Sequence, residues 1–239
     1  MTILSSSLLL AMTSAEAILT VLNSASAVSP RRFEKAREMV LQEAKRGQPV
    51  QQFLVGVTTD DKDLAKRMLD ASRAKIKELA ERKNNPLAWY LLSMESNNHE
   101  YLRRAADGGN VQAMNALGTI AISRVCGDQS LSTNRVSSIM AIGLGYFKKA
   151  AAARDPNGFI NLGTCYLRGF ACERDMPMAF ECFKSAAELG HPEGMDYMSA
   201  CYELGHGVLP DADKSLYWKM RARAARDDAA ADRWLRERK

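Results

Sequence analysis

Residues 158–193 decide the fold that this sequence predicts, and they read GFINLGTCYLRGFACERDMPMAFECFKSAAELGHPE. Apolar side chains at Phe159, Leu162 and Tyr166 are spaced three and four positions apart, which places one apolar stripe along a short first helix. Gly169 is the residue type that ends such a helix, because it adopts a left-handed conformation without strain.

A second helix follows in the same stretch. Asp175 is suited to cap its first turn, and Phe180 and Phe183 belong to its apolar stripe. Gly190 and Pro192 mark its end. Two helices this short cannot bury both stripes between them, so the segment predicts neighbours of the same kind.

The same pattern recurs along the chain. At an offset of 36 residues, Leu162, Tyr166, Gly169 and Asp175 align with Met198, Tyr202, Gly205 and Asp211. Upstream, Leu117-Gly118 aligns with Leu162-Gly163 at an offset of 45 residues, so that unit carries 9 additional residues. We expect these additional residues to form a longer loop at Gly127–Ser138.

Short polar or glycine joints separate the predicted helix pairs. The joints are Gln48-Pro49, Asn85-Pro86, Gly109-Asn110, Asp155-Pro156 and His191-Pro192. The pattern therefore predicts an all-α fold, an α-solenoid of stacked antiparallel helix pairs that forms one domain over residues 1–239. The helix pairs diverge from the repeat pattern over residues 1–112 and follow it clearly over 113–225. Residues 226–239 are predicted to form a capping helix with a polar outer face.

For two helices, the sequence predicts which residues face inward. The second helix Asp60–Lys83 is predicted to be the longest, with Leu64, Met68 and Ala71 facing inward and Ile76 and Leu79 as further inward candidates. In the final helix, Ala229 and Trp234 are predicted to face inward.

The repeated residues resemble the Sel1-like repeat, a relative of the tetratricopeptide repeat. The resemblance covers about residues 113–224 and rests on Leu162-Gly163, Tyr166, Gly169, Asp175, Ala179, Phe183-Lys184, Ala186-Ala187 and Gly190-His191, and again on Tyr202, Gly205, Gly207-Val208, Asp211, Lys214 and Trp218. The second unit departs from the family pattern at Met198-Ser199, where Leu-Gly is usual. The resemblance implies a superhelix that binds other proteins and performs no chemistry.

Composition is consistent with this fold class. With 46% hydrophobic and 26% charged residues, the chain has the composition of a soluble globular protein. The net charge of +5 is mild and alternates in sign along the helices. A nucleic-acid binder would show a basic stripe with interleaved aromatics, so a protein partner is favoured over nucleic acid.

The five cysteines are Cys126, Cys165, Cys172, Cys182 and Cys201. Their odd number and the absence of a Cys-x-x-Cys pair argue against a zinc site and against a complete disulfide framework. Cys165 and Cys201 occupy the same repeat position, which favours small buried thiols. We therefore expect no metal and no cofactor. A cofactor or metal held by the last four of these cysteines is the weaker alternative.

The N-terminal stretch Leu8–Asn23 alternates apolar and polar residues at helical spacing. Glu16 and several hydroxyl side chains interrupt its apolar run, so it predicts an amphipathic helix and no transmembrane segment. A cleaved signal peptide is the alternative, because Ala25-Ser26-Ala27 resembles a cleavage site, but no positive region precedes it. The sequence favours an intracellular protein, cytoplasmic or mitochondrial.

No catalytic group stands out. The glycines follow the spacing of the repeat and form no phosphate-binding loop, and no serine is framed as a nucleophile. His191 and His206 fall at a joint and a turn, where packing or capping is the usual role, and His99 falls in a short polar turn. The sequence therefore predicts no enzyme and no catalytic residue.

The candidate site is a surface. First helices usually line the inner face of a solenoid, so their polar residues are candidates for partner contact. They are Asn115, Asn161, Arg168, Asp196, Tyr197 and Glu203, with Trp89 and Tyr90 as aromatic anchors. Core packing is the alternative for Trp89 and Tyr197. The insertion Gly127–Ser138 is a second candidate surface.

Two functions fit these features. The first is a scaffold, adaptor or assembly factor that holds a segment of a partner protein on its concave face. The alternative is a permanent structural subunit of a larger complex, a mitochondrial complex included, in which the N-terminal helix and the basic tail are buried against neighbours.

Overall fold

The computed structural model describes residues 18, 21–22, 30–128 and 130–237, and every bounded element within these ranges is a helix. In chain order the helices are α1 (Pro30–Lys45), α2 (Pro49–Thr58), α3 (Lys62–Lys83), α4 (Pro86–Ser96), α5 (His99–Asp107), α6 (Val111–Gly127), α7 (Thr133–Ala152), α8 (Pro156–Arg168), α9 (Met176–Glu188), α10 (Pro192–Leu204), α11 (Ala212–Ala225) and α12 (Ala229–Glu237). The predicted all-α class and the predicted joints are confirmed. Most of the expected N-terminal helix Leu8–Asn23 lies outside the described residues; Ile18, Val21 and Leu22 are helical.

The chain divides into two compact units, residues 1–98 and 99–239. The division falls before α5, upstream of residue 113, where the clear repeats were expected to begin. The single solenoid over the whole chain stays a prediction. None of the helices in the described ranges combines the length and apolar character needed to cross a membrane.

The first unit contains α1 to α4. Helix α2 packs on both α1 and α3, and α4 contacts α2 and α3. The interior is filled by large apolar side chains that are fully buried, among them Phe53, Leu54, Ile76 and Leu91. As predicted, α3 is the longest helix described.

In the second unit, each helix packs on the next from α5 to α12. The first helices of the pairs also touch one another, because α8 contacts both α6 and α10. Two consecutive clusters form the interior, one around Phe147 and Leu162 and one around Phe183 and Met198. This side-by-side stacking of helix pairs is the arrangement of a solenoid.

Small residues set the distance between successive pairs. A Cβ atom added to Gly158 would lie 2.6 Å from the backbone nitrogen of Ala151, and one added to Gly194 would lie 2.8 Å from that of Ala187. Each of these first helices therefore rests directly on the backbone of the second helix before it. Because the approach is this close, the residues at the start of α8 and α10 are held in fixed positions.

The prediction of a loop at Gly127–Ser138 is wrong. Helix α6 continues to Gly127 and α7 begins at Thr133, so the additional residues lengthen two helices. The hydroxyl groups of Ser137 and Ser138 donate to the carbonyls one turn earlier, of Thr133 and Asn134, which satisfies them inside the helix. The second candidate surface is thus reduced to a short turn.

Two inward predictions are also wrong. Ala71 on α3 is exposed, whereas Ile76 is buried as expected, together with Ser72 and Ala80. Ser72 can be buried because its hydroxyl donates to the carbonyl of Met68 at 2.6 Å. In α12, Ala229 is exposed and Ala231 is buried. Three alanines in a row begin this helix, so the sequence does not show which of them faces inward.

Candidate partner-binding surface

Two of the predicted surface residues meet across neighbouring helix pairs. Asn115 on α6 donates from Nδ2 to Asp155 Oδ2 at 2.7 Å. Asn161 on α8 donates from Nδ2 to Asn115 Oδ1 at 3.4 Å. Asp155 in turn accepts the backbone N–H of Gly158 at 2.8 Å and thereby caps α8. A polar row, Asn161–Asn115–Asp155, therefore runs across α6 and α8.

Tyr197 continues this side of the molecule on α10, at the repeat position of Asn161. Its ring stacks on that of Phe183, with centroids 4.2 Å apart and planes 6° from parallel. The residue is half-buried. Tyr197 therefore packs against the core and exposes only part of its side chain.

The other predicted residues of the second unit are exposed. Asp196 accepts from Nη2 of Arg226 at 2.6 Å, and this ion pair links α10 to the residue after α11. Arg168 ends α8 with its guanidinium 6.0 Å from the ring centroid of Phe170. Glu203 is exposed near the end of α10, a helix whose charged residues are all acidic.

The two aromatic candidates lie in the first unit, and Trp89 is not a surface anchor. Its side chain is 4% exposed, and its indole N–H donates to Asn84 Oδ1 at 2.9 Å. Helix α4 is apolar on most sides, so the sequence pattern did not show which aromatic ring faces inward. Tyr90 is half-buried, and burial raises the pKa of its phenol.

Three residues that lie beside the predicted ones were not predicted as part of the site: Asp155, His191 and Arg226. Asp155 was interpreted only as part of a joint, and His191 as a joint residue with a packing or capping role. His191 is 4% exposed, and neither ring nitrogen has a hydrogen-bond partner among the described residues. Burial lowers the pKa of its imidazole, while the charge of Asp155 opposes this shift and that of Arg226 adds to it. The shared joint position of Asp155 and His191 was the available signal.

Three of the five cysteines are poorly placed to react. Cys165, Cys182 and Cys201 are buried, and burial raises the pKa of each thiol to about 11. These thiols are therefore protonated at neutral pH and poorly suited to act as nucleophiles or metal ligands. In the described ranges, no group of three or more His, Cys, Asp or Glu residues is placed to hold a metal ion.

A groove of about 760 Å³ lies in the first unit. Apolar side chains of Val40, Val55 and Leu64 line it together with charged residues of α1, including Glu34 and Arg37. No spacing in the sequence predicted it, because it arises from the way α1, α2 and α3 meet.

Comparison with protein families identifies repeats in the second unit. The Sel1 repeat model matches residues 99–110, 160–191 and 192–218. The matched ranges contain Asn161, Arg168, Asp196, Tyr197 and Glu203. No curated protein sequence matches this chain.

Several solved structures are similar to this chain, and two of them are described here. A Sel1 repeat protein from Oxalobacter formigenes is 26% identical, over 52% of this chain and 88% of that one, with a TM-score of 0.46. A protective antigen present in uropathogenic Escherichia coli strains, which displays an SLR fold, is 18% identical with a TM-score of 0.55. That match covers 92% of this chain and 48% of the antigen, so this chain spans about half of its length. The second likeness shows the fold alone.

Proposed function

Because this chain carries Sel1 repeats, we propose that it is a non-enzymatic scaffold or adaptor that binds a segment of a partner protein along its first helices. The observation that carries the proposal is the row Asn161–Asn115–Asp155, which aligns polar side chains across successive pairs. A carboxamide carries both donors and an acceptor, as a peptide group does. Such a row is suited to hydrogen-bond the backbone of an extended segment.

The test begins with proximity labelling in the native cell, which supplies a partner. Binding of that partner is then measured by calorimetry for Asn161→Ala, Arg168→Ala and Glu203→Ala. Tyr197→Phe replaces the alanine variant at that position, because it removes only the hydroxyl and keeps the stack on Phe183. We expect weaker binding with unchanged thermal unfolding.

The control variants lie on second helices. Glu181→Ala and Lys149→Ala alter exposed residues of α9 and α7 and should leave partner binding unchanged. Equal weakening by the first-helix and second-helix variants would contradict the assignment of the surface.

A permanent subunit is the second candidate function. It is supported by two exposed leucines that lie beside the turn after α10: Leu204 is 63% exposed and Leu209 is 85% exposed. A neighbouring subunit would cover such side chains. The mass of the purified chain in size-exclusion chromatography with light scattering separates the two candidates, because an adaptor should be a stable monomer, whereas a subunit should aggregate or require co-expression.

A further inference from the structure

Arg154, which lies between α7 and α8, has a backbone conformation that an arginine rarely adopts. Its φ is 59°, in the left-handed region. At the aligned positions of other joints, the same conformation belongs to residue types that tolerate it: Gly47, Asn84, Gly109, Gly190 and Asp227. Backbone strain of this kind is concentrated at functional sites, so the side chain of Arg154 calls for an explanation.

Packing and internal pairing do not supply that explanation. A Cβ atom added to Gly109 or Gly190 would have no atom within 4 Å, so this position of the joint needs no side chain for packing. The side chain of Arg154 is exposed, and it forms no hydrogen bond or ion pair with any residue that the structure describes. The five N–H donors of its guanidinium are therefore available to a ligand.

Arg154 lines a pocket of about 310 Å³ beside the start of α8. Phe159 of α8 and Leu189, the residue after α9, provide apolar walls. Phe159 is half-buried and Leu189 is 38% exposed, so both are accessible to a ligand. At the next joint, the residues aligned with Arg154 and Phe159 are Gly190 and the buried Met195. That joint therefore lacks both the cation and the accessible ring.

Glu188 of α9 lines the same pocket. It is exposed, and it pairs neither with Arg154 nor with any other described residue. A ligand that suits both charges offers an anion to Arg154 and a hydrogen-bond donor, such as a peptide N–H, to Glu188. A small inorganic anion would meet the charge of Glu188 and leave the apolar walls uncovered. The pocket therefore favours a carboxylate attached to a peptide with an apolar side chain.

We propose that this pocket binds an acidic residue of the partner segment together with an adjacent apolar residue. The carboxylate pairs with Arg154, whose guanidinium can donate two parallel hydrogen bonds to it. The apolar side chain packs on Phe159 and Leu189, and a backbone N–H of the segment donates to Glu188. This inference rests on the proposed function and adds the chemistry of two neighbouring partner residues.

The experiment titrates the full chain with the peptide N-acetyl-Leu-Glu-Leu amide, which has an apolar residue on each side of the carboxylate. Binding is followed by NMR through the methyl resonances of Leu189, which are assigned by their loss in Leu189→Met. N-acetyl-Leu-Gln-Leu amide is the neutral control of the same shape, and N-acetyl-Gly-Glu-Gly amide lacks the apolar side chains. We expect saturable shifts with the first peptide and binding about three-fold or more weaker with each control.

The matched protein variants are Arg154→Gly and Lys149→Ala. Arg154→Gly introduces the residue of the aligned joints and relieves the strained φ, so it should fold and melt about 2–4 °C higher than the parent. Without the guanidinium, it should bind the Glu and Gln peptides equally. Lys149→Ala removes an exposed cation near the end of α7 and should keep the preference for the Glu peptide.

Three results would overturn the inference: no saturable shift with the Glu peptide, equal binding of the Glu and Gln peptides by the parent, or a preference that persists in Arg154→Gly. Tighter binding of N-acetyl-leucine than of the Glu peptide would also overturn it, by assigning the pocket to a chain-terminal carboxylate. The comparison of peptides on the parent does not depend on how any variant folds. If a native partner loses affinity in Asn161→Ala but binds Arg154→Gly normally, the pocket assignment is wrong while the proposed function stands.

Discussion

Gly163 on α8 faces Phe183 on α9 so closely that a Cβ atom on Gly163 would lie 2.7 Å from Cε1 of the ring. The preceding pair repeats this relationship, where a Cβ on Gly118 would lie 2.4 Å from Cε1 of Phe147. In the next pair, the residues aligned with Gly163 and Phe183 are Ser199 and Lys219. In these three pairs, the first helix has glycine where the facing residue of the second helix is phenylalanine, and it has a larger residue where phenylalanine is absent.

Gly163→Ala should therefore destabilise the protein by about 1–3 kcal/mol, because the new methyl group displaces the buried ring of Phe183. The measurement is the free energy of unfolding in urea. Adding Phe183→Leu should recover part of the loss, since the two positions are in contact. An alanine variant that unfolds like the parent would show that the contact is not this tight.

Ala171→Gly should stabilise the protein by roughly 0.5–1 kcal/mol. Ala171 has φ 58°, in the left-handed region that glycine occupies without strain. The aligned residue in the next turn is Gly207, at φ 76°, where a Cβ would lie 2.3 Å from the carbonyl oxygen of Met176. Gly207→Ala should therefore be destabilising, and the two melting temperatures should move in opposite directions.

His191→Asn should stabilise the protein by about 1 kcal/mol, because asparagine caps helices and its side chain would satisfy a backbone N–H at the start of α10. It also removes a buried ring that has no hydrogen-bond partner within the described part of the chain. Thermal unfolding at neutral pH provides the measurement, with Asn110→His as the reciprocal variant, which should lose a comparable amount. A less stable His191→Asn would mean that the imidazole has a bonding partner.

Stability should fall when the pH drops below the ordinary histidine pKa of about 6.5. The pKa of His191 is lowered in the folded protein by burial and by Arg226, with Asp155 opposing. Below that pH, His191 of the unfolded chain binds a proton more readily than His191 of the folded chain. The stability that neutral His191 contributes is therefore intact above about pH 6.5 and is lost as the pH falls toward the lowered pKa of the folded protein.

The measurement compares urea midpoints at about pH 7.5 and about pH 5.5 for the parent and for His191→Asn. The variant should lose less stability between the two conditions. His99→Asn, which changes an exposed histidine, should keep the pH dependence of the parent. Parallel curves for the parent and His191→Asn would exclude His191 as the source.

Maleimide should label Cys126 much faster than Cys201 in the folded protein. Cys126 is exposed, whereas burial of Cys201 blocks access and raises its pKa to about 11, which leaves little thiolate. The labelled peptides are quantified by mass spectrometry over time, and unfolding in urea should equalise the rates. Equal rates without urea would contradict the buried position of Cys201.

The site was predicted less completely than the fold. The spacing of the repeats placed Asn115 and Asn161 on first helices, and these two residues do meet. It could not show that Asp155 completes their row, because that contact joins residues 40 positions apart. The spacing also left Trp89 as a surface candidate. Helix α4 is apolar on most sides, so its sequence does not show which side faces the core.

The amino-acid sequence by itself determined where most of the helices begin and that they form pairs, because caps, glycine turns and apolar spacing act within a few residues. Only the tertiary structure decided that the residues added before α8 lengthen helices α6 and α7, that Ala71 faces solvent, and that the His191 ring has no hydrogen-bond partner among the residues that the structure describes. Those features depend on which side chains from distant parts of the chain face one another. Local spacing does not encode that choice.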